Sequence, residues 1–242
     1  MKNENPKGQI YIEQAKEVLK YLKSDLRYDE KFLPRPFFVE FTGSPSAGKT
    51  TTITKLYDFF RRSGFRVLRP QEGAEVIQHV SRKTPLYNIR TGLYALQMLI
   101  DYSASHDYDL VIFDRCVFDV YAWMVYWQEK SMLTEQEKDI NQGFFLQKHW
   151  MDKIDAAFFM ICEPQEALER DRRISISNQT GETTNPKNLE ILYKRYKDVY
   201  NLLSPIYPQL RLIDTTKLGE AEMIKAVVTQ IFDAMETKIK AS

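Results

Sequence analysis

The 242-residue chain predicts an α/β fold, a three-layer sandwich in which a five-stranded parallel sheet carries helices on both faces. Three observations predict it. Five short β-favouring runs (37–41, 65–69, 110–114, 156–162 and 209–213) alternate with helix-length segments, and strands joined by crossover helices pair in parallel. The third run, Leu-Val-Ile-Phe-Asp114, is apolar up to its last residue, as strands covered on both faces are. The first run passes through a loop of small residues straight into a helix-compatible segment, Phe37-Phe-Val-Glu-Phe-Thr-Gly-Ser-Pro-Ser-Ala-Gly-Lys-Thr-Thr-Thr.

In chain order, residues 8–28 read as an amphipathic helix, because Ile12, Ala15, Val18, Leu19 and Leu22 recur at helical spacing among Lys and Glu. Residues 1–36 are therefore expected to form a helical extension that packs on the main domain, 37–242. Pro34 and Pro36 end that reading and deliver the chain to the first strand. After the loop, Ile53, Leu56, Phe59 and Phe60 give the next helix its apolar face, and Ser63-Gly64 stops it. The second strand, 65–69, ends at Pro70. A short helix is expected over 75–81 and a longer one over 87–106, with Leu93, Leu96, Met98, Leu99 and Tyr102 on its apolar side.

The third strand is followed by an aromatic helix over 117–129. Thr134-Glu-Gln-Glu137 has capping-box form and should open a helix reaching about Met151. The fourth strand runs into a helix from Pro164 to about Arg173, and 175–187 reads as a polar, Gly- and Pro-containing loop. A helix over 188–203, the fifth strand and a last helix over 220–240 complete the domain.

The loop after the first strand carries the chemistry. Gly43 and Gly48 frame G-x-x-x-x-G-K-[ST], whose glycines allow successive N–H groups to turn inward and cradle an anion. Residues Gly43, Ser44, Pro45, Ser46, Ala47, Gly48, Lys49, Thr50 and Thr51 are the expected nucleotide-binding set. Pro45 has no N–H, so the cradle relies mainly on Ser46 to Thr50. The following helix turns its positive dipole end to the same phosphates. Lys49 would place its ammonium on the β- and γ-phosphates of ATP, with GTP the other candidate, and Thr50 its hydroxyl on Mg²⁺.

Asp114, at the end of a buried strand, is the second expected Mg²⁺ ligand. Arg115 follows it, where mechanical ATPases of the AAA type carry a Glu that activates water. A guanidinium suits a phosphate or an acceptor hydroxyl instead. No Asn-Lys-x-Asp motif for reading guanine is present. Glu72, in the loop after the second strand, is placed to take a proton from an acceptor hydroxyl, or alternatively to complement a helix dipole. Glu75 is a second candidate for that role. Glu169-Arg-Asp-Arg-Arg173 precedes the polar loop, and Arg170, Arg172 and Arg173 are expected to belong to a lid around 169–187 that closes over the nucleotide. Phe118, Tyr121 and Trp123 are candidates for stacking on a base, or for the core.

Composition narrows the alternatives. A formal charge of +1 supplies no general field for nucleic acid or an anionic membrane, which argues against a 5′-polynucleotide kinase. Cys116 and Cys162 lack metal-ligand spacing and read as reduced core thiols. His79, His106 and His149 show no metal spacing either. No apolar signal core or spanning segment is found, so a cytoplasmic location is expected. A homodimer is left open.

With these pieces the chain resembles the P-loop nucleoside and nucleotide kinases, including thymidylate and deoxynucleoside kinases, which carry an acidic-Arg pair after the third strand and an Arg-rich lid. Pro70-Gln-Glu-Gly-Ala-Glu and Asp114-Arg-Cys-Val-Phe-Asp119 look like the AAA-type group that contains the nicotinamide riboside kinase domain and GTP-binding proteins. The resemblance covers about residues 37–215. It implies a P-loop NTPase fold and transfer of the γ-phosphoryl group to a small nucleoside- or nucleotide-like acceptor. It also implies an alternative, a nucleotide-dependent regulatory protein without such an acceptor. Two positions depart: Glu75 stands where that group often has Arg, and Cys116 where deoxynucleoside kinases have a hydroxyl residue. Neither substrate set carries over.

Overall fold

The computed structural model describes residues 6–23, 36–105, 107–174 and 185–241. Its strands are β1 (Phe37–Gly43), β2 (Val67–Leu68), β3 (Leu110–Asp114), β4 (Ala156–Ile161) and β5 (Leu210–Asp214). They form one sheet in the order β2-β3-β1-β4-β5 with every pair parallel. The helices are α1 (Pro6–Lys23), α2 (Lys49–Arg62), α3 (Gly73–Val76), α4 (Pro85–Ser103), α5 (Val117–Glu129), α6 (Glu135–Phe145), α7 (Lys148–Met151), α8 (Pro164–Ile174), α9 (Pro186–Leu203) and α10 (Glu220–Ala241).

Every residue of β1 is buried, because the strand lies between β3 and β4 and has helices on both faces. Side chains alternate across it. Phe37, Val39 and Phe41 enter the core shared with α1, α2 and α10. Phe38 enters the core shared with α4, α5 and α9, where it stacks on Phe113. Ala15 and Val18 of α1 belong to the first of these cores, so the N-terminal helix is built into the layer that covers the sheet. Among the described residues, no helix is long and apolar enough to cross a membrane.

Several boundaries differ from the sequence expectation. The expected strand 65–69 shortens to Val67–Leu68 because Phe65 N–H returns to the end of α2 at Phe60 O (3.0 Å). Arg66 is meanwhile tied to Asp109 through its amide (2.7 Å) and its guanidinium (2.7 Å). The short helix starts earlier than expected, at Gly73, and stops when Ile77 leaves helical angles and enters the core at 1% exposure. The capping box at Thr134 and Glu137 forms, but the helix it opens does not continue to Met151. The Trp150 indole N–H takes the Phe145 carbonyl at 3.0 Å, a carbonyl that a continuing helix would need, and the chain breaks at Leu146 and Gln147 before α7. Residues 24–28 of the expected first helix, and 175–184 of the expected lid loop, lie outside the described residues.

Candidate functional site

The carboxyl ends of β1 and β3 are neighbours, with Phe41 opposite Asp114 in register. Loops leaving these ends therefore meet, as ligand sites do in parallel sheets. The loop from β1 has φ of 135° at Gly43, 55° at Ser46 and 86° at Gly48, so its amides turn repeatedly as an anion nest requires. Gly43 is also a packing necessity, since a Cβ there would stand 1.8 Å from Met160 O. Ser44 anchors the loop to β4, its N–H donating to Met160 O (3.0 Å) and its Oγ accepting from Cys162 N–H (3.1 Å).

Lys49 and Thr50 open α2. The Lys49 ammonium is buried and donates to the loop's own carbonyls, Gly43 O (3.0 Å) and Ser44 O (2.7 Å). Burial lowers its pKa to about 8. Thr50 Oγ1 donates to Asp114 Oδ2 at 3.0 Å. A hydroxyl and a carboxylate in contact beside an anion nest are oxygen donors of the kind Mg²⁺ takes, so the residues fit that ion. Thr51 is exposed on the first turn of α2.

Arg115 follows Asp114 in a left-handed conformation, φ 68°, which costs a non-glycine residue about 1–2 kcal/mol. Its N–H is fixed to Phe41 O at 2.9 Å. Its guanidinium bridges two carboxylates, with Nε donating to Glu72 Oε1 (3.0 Å) and Nη1 to Asp119 Oδ1 (2.8 Å). Burial acts to lower the Arg115 pKa, but Asp119, Tyr196, Glu72 and Asp114 outweigh it and raise it further. The side chain is thus a fixed cation. Glu72 is the N-cap residue of α3 but makes no cap bond; its carboxylate goes to Arg115 instead. Burial raises the Glu72 pKa against the opposing pull of Arg115.

A cavity of about 180 Å³ opens beside this pair, lined among others by Glu72, Asn88, Thr91, Arg115, Asp119 and Trp123. Of the three aromatic candidates only Trp123 lines it. Phe118 is fully buried against Phe159 and Tyr207, and Tyr121 does not reach the cavity. Glu75 is exposed and also outside it.

Among the arginines of α8, Arg170 is placed differently from the lid expectation. Arg170 is committed to Glu166 (2.9 Å) and to Thr215, through Oγ1 (3.1 Å) and O (2.6 Å). It ties α8 to the segment after β5. Arg173 is exposed and pairs with Glu169 at 3.3 Å, and Arg172 is exposed.

Four residues not singled out from sequence complete the cluster. Asp119 Oδ1 accepts from Thr42 Oγ1 (2.6 Å) and Tyr196 OH (2.8 Å) as well as from Arg115. Burial, and then Asp119, raise the Tyr196 pKa, so the phenol remains a donor. Glu40 accepts the amides of Cys116 (2.9 Å), Phe118 (3.3 Å) and Asp119 (3.0 Å), and burial pushes its carboxyl up to about 8. Glu40 was detectable as a charge inside an apolar strand, and Asp119 by its i,i+4 spacing from Arg115. Tyr196 and Thr42 carried no signal.

A family model described as an AAA domain matches residues 38–175, more than half of the chain. Among solved structures the chain is similar to deoxyadenosine kinase from M. mycoides, a structure described with products dCMP and a flexible dCDP bound. The identity is 12%, the TM-score is 0.57, and the match covers 81% of this chain and all of the other. That likeness is one of fold, a parallel α/β sheet with helices on both faces.

Proposed function

We propose, for a chain that belongs to the AAA domain family, that it is a cytoplasmic phosphotransferase. It would move the γ-phosphoryl group of ATP to a small nucleoside- or nucleotide-like acceptor, with GTP as the alternative donor. One observation carries this reading. Arg115 holds Glu72 at 3.0 Å at the wall of a cavity of about 180 Å³, next to the Thr50–Asp114 pair. The cavity beside Glu72 leaves room for an acceptor larger than water.

The loop amides of 46–50 and the Lys49 ammonium would bind the β- and γ-phosphates, Lys49 leaving the Gly43 and Ser44 carbonyls to do so. Thr50 and Asp114 would hold Mg²⁺, which when bound neutralises phosphate charge. The cavity would orient the acceptor hydroxyl toward Glu72. As the acceptor oxygen bonds to phosphorus, the bond from phosphorus to the β-phosphate oxygen breaks and the hydroxyl proton passes to Glu72. Its raised pKa suits a base that must hold that proton briefly. Arg115 would neutralise charge building on the transferred group. Arg172 and Arg173 remain proposed to close over the nucleotide, whereas the contacts of Arg170 favour anchoring α8.

The test is a screen of nucleosides and nucleotides for Mg²⁺- and ATP-dependent phosphorylation. Transfer that falls by about 10²–10³ in Glu72→Gln supports the reading. Tight nucleotide binding with slow hydrolysis and no phosphorylated acceptor would overturn it in favour of a nucleotide-dependent regulatory protein.

A further inference from the structure

Glu40 lies in the centre of β1 at 1% exposure, and the reaction above does not use it. A carboxyl at a core position of a strand needs polar partners, and its partners are main-chain amides. Oε1 accepts Cys116 N–H and Asp119 N–H, and Oε2 accepts Phe118 N–H. These belong to the N-cap and first turn of α5, which a helix leaves without internal acceptors. Cys116, the N-cap residue, supplies no side-chain bond. The neighbouring strand therefore provides the cap that Ser or Asp provides elsewhere.

This has a consequence at Arg115. The turn from β3 into α5 passes through its left-handed conformation. Upstream the turn is fixed by the Phe41 carbonyl on the Arg115 amide, and downstream by Glu40 on the amide of Cys116. Both holds come from β1. The Arg115 side chain leaves this turn toward Glu72 and Asp119, and the amide of Asp119 is itself a Glu40 partner.

We propose that Glu40 is a positioning residue. Its carboxyl holds the turn from β3 into α5 so that Arg115 and Asp119 meet at the wall of the acceptor cavity. The kinetic arm of its test rests on the phosphotransferase reading; the spectroscopic arm does not.

Glu40→Gln keeps a carbonyl oxygen for the two shorter bonds, whereas Glu40→Met keeps the length with no strong acceptor. The Gln variant should turn over within about threefold of wild type. The Met variant should lose at least about tenfold in kcat with nucleotide affinity within about twofold, because Glu40 makes none of the loop's own bonds. Added to Arg115→Ala, the Met substitution should lower kcat no further. Losses that multiply, or that fall equally on nucleotide affinity, overturn the proposal. Independently of turnover, the Nε–H resonance of Arg115 should move in the Met variant and stay in the Gln variant. An unmoved signal in Glu40→Met also overturns it. If wild type phosphorylates no acceptor, the phosphotransferase reading falls while this resonance still decides the role of Glu40. Should the Met variant not fold, Glu40→Asp, which withdraws the oxygens by about 1.5 Å, is read by the same two measurements.

Discussion

Arg115 Nε donates to Glu72 Oε1 at 3.0 Å across 43 positions of sequence. One residue comes from the turn after β3 and the other from the loop after β2, and the adjacency of β2 and β3 brings them together. The pair joins a fixed cation to a carboxylate whose pKa is raised by burial.

Removing either partner should separate chemistry from nucleotide binding. Glu72→Gln is expected to lower kcat by about 10²–10³ with nucleotide affinity little changed. Arg115→Lys should fail to restore the activity lost in Arg115→Ala, because one ammonium cannot reproduce bonds leaving Nε and Nη1 toward two carboxylates. Steady-state kinetics beside equilibrium binding of a fluorescent nucleotide checks both; parallel losses in affinity would contradict the assignment.

The contact between Thr50 and Asp114 predicts a metal-specific defect. Asp114→Asn should raise the Mg²⁺ concentration for half-maximal activity by at least about tenfold, leaving metal-free nucleotide binding near wild type. A magnesium titration of activity measures it, and an unchanged midpoint would remove Asp114 from the metal site.

Gly43 tests the packing under the loop. Gly43→Ala places a Cβ against Met160 O at a φ of 135°, and neither strand can yield without disturbing the ladder. A loss of about 3 kcal/mol is expected from overpacking and strain, or roughly 10 °C in Tm for a chain of this size. Calorimetry of the purified variant would show it.

Glu40 should also make stability depend on pH. Its folded pKa of about 8 lies above the ordinary 4.5, so the folded state holds the proton more tightly than the unfolded chain. The stability this supplies is fully present below pH 4.5 and is lost as pH rises through 8. Urea midpoints of wild type should therefore fall between pH 5 and pH 8 relative to those of Glu40→Gln. Parallel profiles would show that the carboxyl is not carrying that proton.

Much of this could be read along the chain. The phosphate loop and its Lys49-Thr50 are local, because glycine spacing and the strand-to-helix change are properties of consecutive residues. The aromatic helix Val117–Glu129 and the capping box of Thr134 with Glu137 are local for the same reason. Alternation of apolar runs with helices determined a parallel sheet, and charge and spacing pointed to Asp114, Arg115 and Glu72 one at a time.

What the tertiary structure decided was partnership. Strand order placed β1 beside β3, which brought Thr50 to Asp114 and let Glu40 reach the amides of α5. Helix packing carried Tyr196 across 77 positions to Asp119 and turned Arg170 to Thr215 instead of leaving it for a lid. A hydrogen bond between distant residues has no period or spacing in sequence. Only the burial that excludes water from competing for those groups determines which of them must pair.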